Sequence, residues 1–101
     1  MMEAETVQDV HELVDRFNER TDVDLTDQGL KLFEEGGELA EEILGANGDL
    51  LFKDDVDGSG IEEEVGQVIY TAWSIGRLAG IDPFVAVYDQ AVANEGRVNE
   101  D

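Results

Sequence analysis

Cysteine is absent from this 101-residue chain, which removes disulfides, zinc–thiolate sites, thiol nucleophiles and dithiol redox motifs at once. Basic side chains are almost as scarce: six Lys and Arg stand against 26 Asp and Glu, a formal charge of -20. That balance leaves phosphate-backbone recognition without an electrostatic footprint, so DNA and RNA are not expected as partners. No run approaches the roughly 18 apolar residues of a membrane span. The opening residues MMEAETVQDV lack the basic and apolar regions of a signal peptide, and a soluble, cytoplasmic protein is expected. Histidine and proline occur once each. Any metal must therefore be held by oxygen ligands or by His11.

What is present is acid and apolar surface in quantity. The acids are spread along the chain and 42% of residues are hydrophobic, a composition that disorder or an acidic tail does not favour. Molar salt shortens the Debye length to about 3 Å and makes such a surface tolerable. We read a folded domain adapted to a salty cytoplasm, with a composition of the haloarchaeal type. The length suits one domain over residues 1–101.

Four helices are predicted, with no strand-like alternation and no internal repeat. Val7, Val10, Leu13, Val14 and Phe17 recur at three- and four-residue spacing after Thr6, an N-cap, and give a first helix to about Arg20. A second starts after Thr26 with Asp27 in its first turn and runs through Leu30, Phe33, Leu39 and Ile43 to a stop at Gly45. Residues 45–60, GANGDLLFKDDVDGSG, read as a connection with a brief apolar insert from Leu50 to Phe52. Ser59 and Glu62 suggest a capping box for a third helix ending at Ala79 and Gly80. Asp82 and Pro83 start a fourth, closed at Gly96. In the third, Val68, Ile69, Tyr70, Ala72, Trp73 and Ile75 point almost all round the axis. Three short companions can hardly cover it, so an all-α bundle assembled from more than one copy, a homodimer or homotetramer, is expected.

The chemistry suggested by these residues is carboxylate chemistry. Glu35 and Glu38 lie three apart in EEGGELAEE, with Glu42 a further turn on, so the three share one side of the second helix. Glu34 and Glu41 point elsewhere, and Lys31 is the nearest base. Glu64 lies at the edge of the third helix's apolar stripe, followed on the same side by Gln67 and Thr71. An all-oxygen set of this kind suits Mg²⁺ or Mn²⁺, hard ions that keep waters for a phosphate to replace. On spacing alone, solvated surface charge is the better explanation of the Glu run.

EEGGELAEE at residues 34–42, EEVGQVIYTAWSIGRLAGIDP at 63–83 and ANEGR at 93–97 together resemble the MazG-like, all-α nucleoside triphosphate pyrophosphohydrolases, over about three quarters of the chain. Those enzymes carry ExxE on one helix and ExxD on the next. Glu35 and Glu38 match the first motif and Glu64 the first position of the second. The resemblance implies a four-helix protomer in an oligomeric bundle, with carboxylates holding Mg²⁺ against a nucleoside triphosphate. Water then releases pyrophosphate and a nucleoside monophosphate. It also implies roles for Glu35, Glu38 and Glu64 in catalysis and metal binding, with substrate contacts from Asn94, Arg97, Lys53 and Lys31. The chain departs from the pattern at Gln67, which stands where ExxD has Asp. Gln67 still offers a carbonyl oxygen to a metal, and Glu63, four residues earlier, is a stand-in ligand. The other reading is a non-catalytic helical oligomer, binding a nucleotide or a protein, that lost the ExxD aspartate.

Weaker signals are set aside. DVDGSG, Asp55 to Gly60, opens like a calcium loop, but its twelfth position is Gly66, so a turn is preferred. His11 has no second histidine or nucleophile near it in sequence and is read as half-exposed. Tyr70 and Trp73 are read as packing residues. The charge itself yields a prediction: at ~10 mM salt, where repulsion reaches about 30 Å, the chain unfolds. Circular dichroism checks it, and unchanged helicity after desalting would refute the salt-adapted reading.

Overall fold

The computed structural model describes residues 6–48 and 57–99. These form four helices: α1 (Val7–Thr21), α2 (Leu25–Ala46), α3 (Ile61–Leu78) and α4 (Pro83–Asn99). No helix among them is long and apolar enough to cross a membrane. The fold class is all-α, as expected.

Local chemistry accounts for most helix ends. Thr6 accepts from the Asp9 N–H at 3.2 Å while its own N–H donates to Asp9 Oδ2 at 3.1 Å, a reciprocal cap for α1. α2 starts earlier than the spacing predicts: the cap is Asp24, whose Oδ1 takes the Asp27 N–H at 2.8 Å. An ionised acceptor outcompetes the neutral Thr26 hydroxyl for that role. At its far end α2 runs past Gly45 to Ala46, and the left-handed turn falls at Gly48, φ 73°. Gly96 likewise stays inside a helix, because α4 continues to Asn99. Gly80 behaves as predicted: it takes φ 78°, with Gly80 N–H donating to Arg77 C=O at 3.2 Å and Ile81 N–H to Gly76 C=O at 2.9 Å. That pair of bonds closes the last turn of α3. Asp82 Oδ1 then receives the N–H groups of Phe84 and Val85 at 2.9 and 3.4 Å and starts α4.

The predicted Ser59–Glu62 capping box does not form. Gly60 occupies the N-cap of α3 and has no side chain to offer; its N–H donates instead to Glu42 Oε2 of α2 at 3.1 Å. The approach is close at Gly58 too, where a Cβ would meet Ala46 Cβ at 2.5 Å and where φ is 89°. Only glycine tolerates both conditions.

α3 is the hub, packed by α2, α1 and α4. Against α2 it runs antiparallel, as the facing pairs Gln28 with Ser74, Glu38 with Glu64, and Glu42 with Gly60 show. Against α1, Asp15 grips Arg77 through two bonds of 3.0 and 2.8 Å, and Phe17 meets Tyr70 edge to face at 5.9 Å. His11 is buried rather than half-exposed: its Nδ1 accepts from Trp73 Nε1 at 2.9 Å and its Nε2 lies 3.3 Å from Asp82 Oδ1.

The interior of the chain is polar to an unusual degree. Among the described residues Val14, 1% exposed, is the sole hydrophobic side chain that is fully buried, whereas Phe33 is 88% and Leu30 69% exposed. α3 is not enclosed on all sides within the chain either: its sealed positions are the small Thr71, Ser74 and Gly76, while Ile69 is exposed. Buried polarity demands partners, and a chain of bonds supplies them: Gln28 Nε2 donates to Ser74 Oγ at 2.7 Å, and Ser74 Oγ to Asn18 Oδ1 at 2.8 Å. Ser74→Ala would strand the buried ends of Gln28 and Asn18. We expect a loss of about 1–3 kcal/mol, read as a lower denaturation midpoint in molar salt.

Candidate metal centre

The antiparallel register of α2 and α3 gathers acids from both helices. Glu35, Glu38 and Glu64 each present a carboxylate oxygen, and these atoms lie within 4.8 Å of one another. Glu35 is buried, and Glu38 and Glu64 are half-buried. The side chain of Glu64 is the least comfortable, because its Oε2 is sealed from solvent with no hydrogen-bond partner. A polar atom in that position calls for a ligand.

Charge follows geometry. Burial, then the hydrogen bond and charge of Glu35 and the charge of Glu38, pushes the Glu64 carboxyl up to about 7. The charge of Glu35, followed by burial and by Glu34, raises Glu38 as well. Without a cation the trio holds its charge reluctantly. The donor set is all oxygen, of the kind that could hold a hard divalent ion.

Beside the trio opens a cleft of about 410 Å³, lined by Phe17, Val23, Gln28, Lys31, Gln67 and Tyr70. Lys31 stands one turn before Glu35 on α2, and Gln67 one turn after Glu64 on α3, so the cleft continues the same seam. The other expected site residues lie apart. Glu63 is exposed and outside the group of three. Glu42, expected on the metal side, is spent on Gly60. Asn94 and Arg97 hold each other at 2.9 Å on the exposed face of α4, and no described contact joins them to the trio. Lys53 and the apolar insert from Leu50 to Phe52 lie outside the described residues, as does Asp55. Phe17, Val23 and Gln28 have no expected role at the site, and Tyr70, weighed as a base-stacking face and read as packing, lines the cleft with them. Polar residues at 28, 31, 35, 38 and 42, spaced by three and four, are the signal that marks this side of α2 as a seam.

No family model, curated protein or solved structure matches the chain.

The Glu64 carboxyl sets a pH dependence. From its ordinary 4.5 up to about 7 the folded chain keeps a proton that the unfolded chain releases, so the metal-free fold loses stability as pH rises through that window. Mg²⁺ needs the ionised form, so its affinity should rise with pH through about 7 with proton release. Glu64→Gln should melt higher than the parent at about pH 8 without metal, match it at about pH 4, and lose at least about tenfold in Mg²⁺ affinity. Thermal melts and calorimetry check both halves. A variant that melts like the parent at both pH values would separate Glu64 from its neighbours.

Proposed function

We propose that this chain is a Mg²⁺-dependent nucleoside triphosphate pyrophosphohydrolase of the MazG-like type, with Mn²⁺ an acceptable substitute. The observation that carries the reading is the trio Glu35, Glu38 and Glu64, with its sealed, unpartnered oxygen, one helical turn along α2 and α3 from Lys31 and Gln67 of the cleft wall. Bare carboxylates repel a triphosphate, and a divalent ion held by the three acids would neutralise phosphate charge and acidify a bound water. Lys31 adds a cation at the rim for a phosphate oxygen. In the reaction the oxygen of water bonds to the α-phosphorus, the α–β anhydride bond breaks, and pyrophosphate leaves with its electron pair. The proton released by water goes to a carboxylate of the trio or to solvent.

The working unit in this reading is a homo-oligomer, a dimer or a tetramer. Two observations support it: Val14 as the one fully buried hydrophobic residue among those described, and an apolar groove of about 540 Å³ between α3 and α4, lined by Ile69, Trp73, Ile75, Ile81 and Val87 among others. A fold with so little internal apolar burial depends on whatever covers that surface. The cover must be present at the chain's own concentration, which a second copy always is. At molar salt the charge repulsion between copies is screened.

Gln67 supports a second reading, a non-catalytic oligomer that binds nucleotide or protein, because it leaves the site one carboxylate short. The test is pyrophosphate release in molar KCl with Mg²⁺ or Mn²⁺ across normal and modified triphosphates. We expect release from at least one of them, and light scattering on the same sample should give at least twice the 11.1 kDa chain mass. Nucleotide binding without release from any substrate would favour the second reading. A monomer would refute the oligomer.

A further inference from the structure

We propose that Gln67 contacts the sugar of the bound nucleotide and is not a metal ligand. This rests on the nucleotide reading above. The three carboxylates already close on one another within 4.8 Å, with Glu35 buried and one oxygen of Glu64 sealed. Gln67, in contrast, is exposed and belongs to the wall of the cleft, in the company of Lys31, Gln28 and Tyr70. Its backbone is held in place by Thr71, which is fully buried and whose hydroxyl donates to the Gln67 carbonyl at 2.8 Å.

The order of chemistry along the cleft matches the order of a nucleotide. An α-helix rises about 1.5 Å per residue, so along α3 Gln67 lies about 4.5 Å and Tyr70 about 9 Å beyond Glu64. The acids come first, where a metal-held triphosphate belongs. Lys31 and Gln67 come next, a cation for phosphate oxygen and a neutral amide with both donor and acceptor, which is what a sugar hydroxyl requires. Tyr70, braced edge-on by Phe17, and Val23 come last and offer apolar surface for a base.

Calorimetry on the full chain in molar KCl separates the roles, using three probes: Mg²⁺ alone, inorganic tripolyphosphate with Mg²⁺, and an α,β-methylene nucleoside triphosphate with Mg²⁺. For Gln67→Ala we expect unchanged binding of Mg²⁺ and of tripolyphosphate, and about tenfold weaker binding of the nucleotide analogue, the loss of one neutral hydrogen bond. Weaker Mg²⁺ binding by Gln67→Ala, equal losses for tripolyphosphate and nucleotide, or no loss at all would each overturn the assignment. Circular dichroism confirms that the variant is folded. If the parent chain binds Mg²⁺ but no nucleotide, the proposed function itself fails, and the role of Gln67 fails with it. If the parent binds both and only the variant pattern departs, the assignment of Gln67 fails alone.

Discussion

Where α2 and α3 meet, the facing side chains are polar: Gln28 against Ser74, Glu35 and Glu38 against Glu64, and Glu42 against the N–H of Gly60. Helix pairs ordinarily bury an apolar stripe at such a contact. Here the contact is held by directed bonds at both ends, and between them three acids are pressed together with too little compensation. The rest of the structure follows from that choice. Side chains such as Leu30 and Phe33 turn outward, three acids are left to repel one another, and the cleft lined by Gln28, Lys31 and Gln67 takes its shape from the same register.

Polar contacts also fix how α1 sits. Asn18, Ser74 and Gln28 form one hydrogen-bonded line through three helices, and the Arg77 fork lowers the Asp15 carboxyl from its ordinary value, so that link persists into mild acid. Directional networks of this kind specify a unique arrangement more sharply than they add stability. They hold Phe17 against Tyr70 and so help form the floor of the cleft.

How legible all this was depended on the range of the interaction. Asp82, Pro83 and Gly80 could be read directly because caps and left-handed turns are settled by neighbours in sequence. The start of α3 could not, since its N-cap is Gly60, which has no side chain, and the carboxylate that takes the Gly60 N–H is Glu42, 18 residues away, so no local signature marks it. The pairing of Glu35 with Glu38 was visible as helical spacing, and Glu64 as the edge of an apolar stripe. That Gln67 sits with the cleft, and Glu63 in solvent, depends on the rotation of α3 against α2, which no single-helix pattern encodes. His11 was misjudged for the same reason: Trp73, the group that buries it, lies 62 residues away.

The indole of Trp73 can only donate, so the imidazole nitrogen that receives it, Nδ1, must be bare, and the ring proton resides on Nε2 toward Asp82. Asp82 meanwhile holds the first free N–H groups of α4. One imidazole tautomer thus carries a hydrogen-bonded relay from the indole on α3, through α1, to the first turn of α4. The orientation of the fourth helix is thereby tied to the position of a single proton, on the one imidazole of the chain.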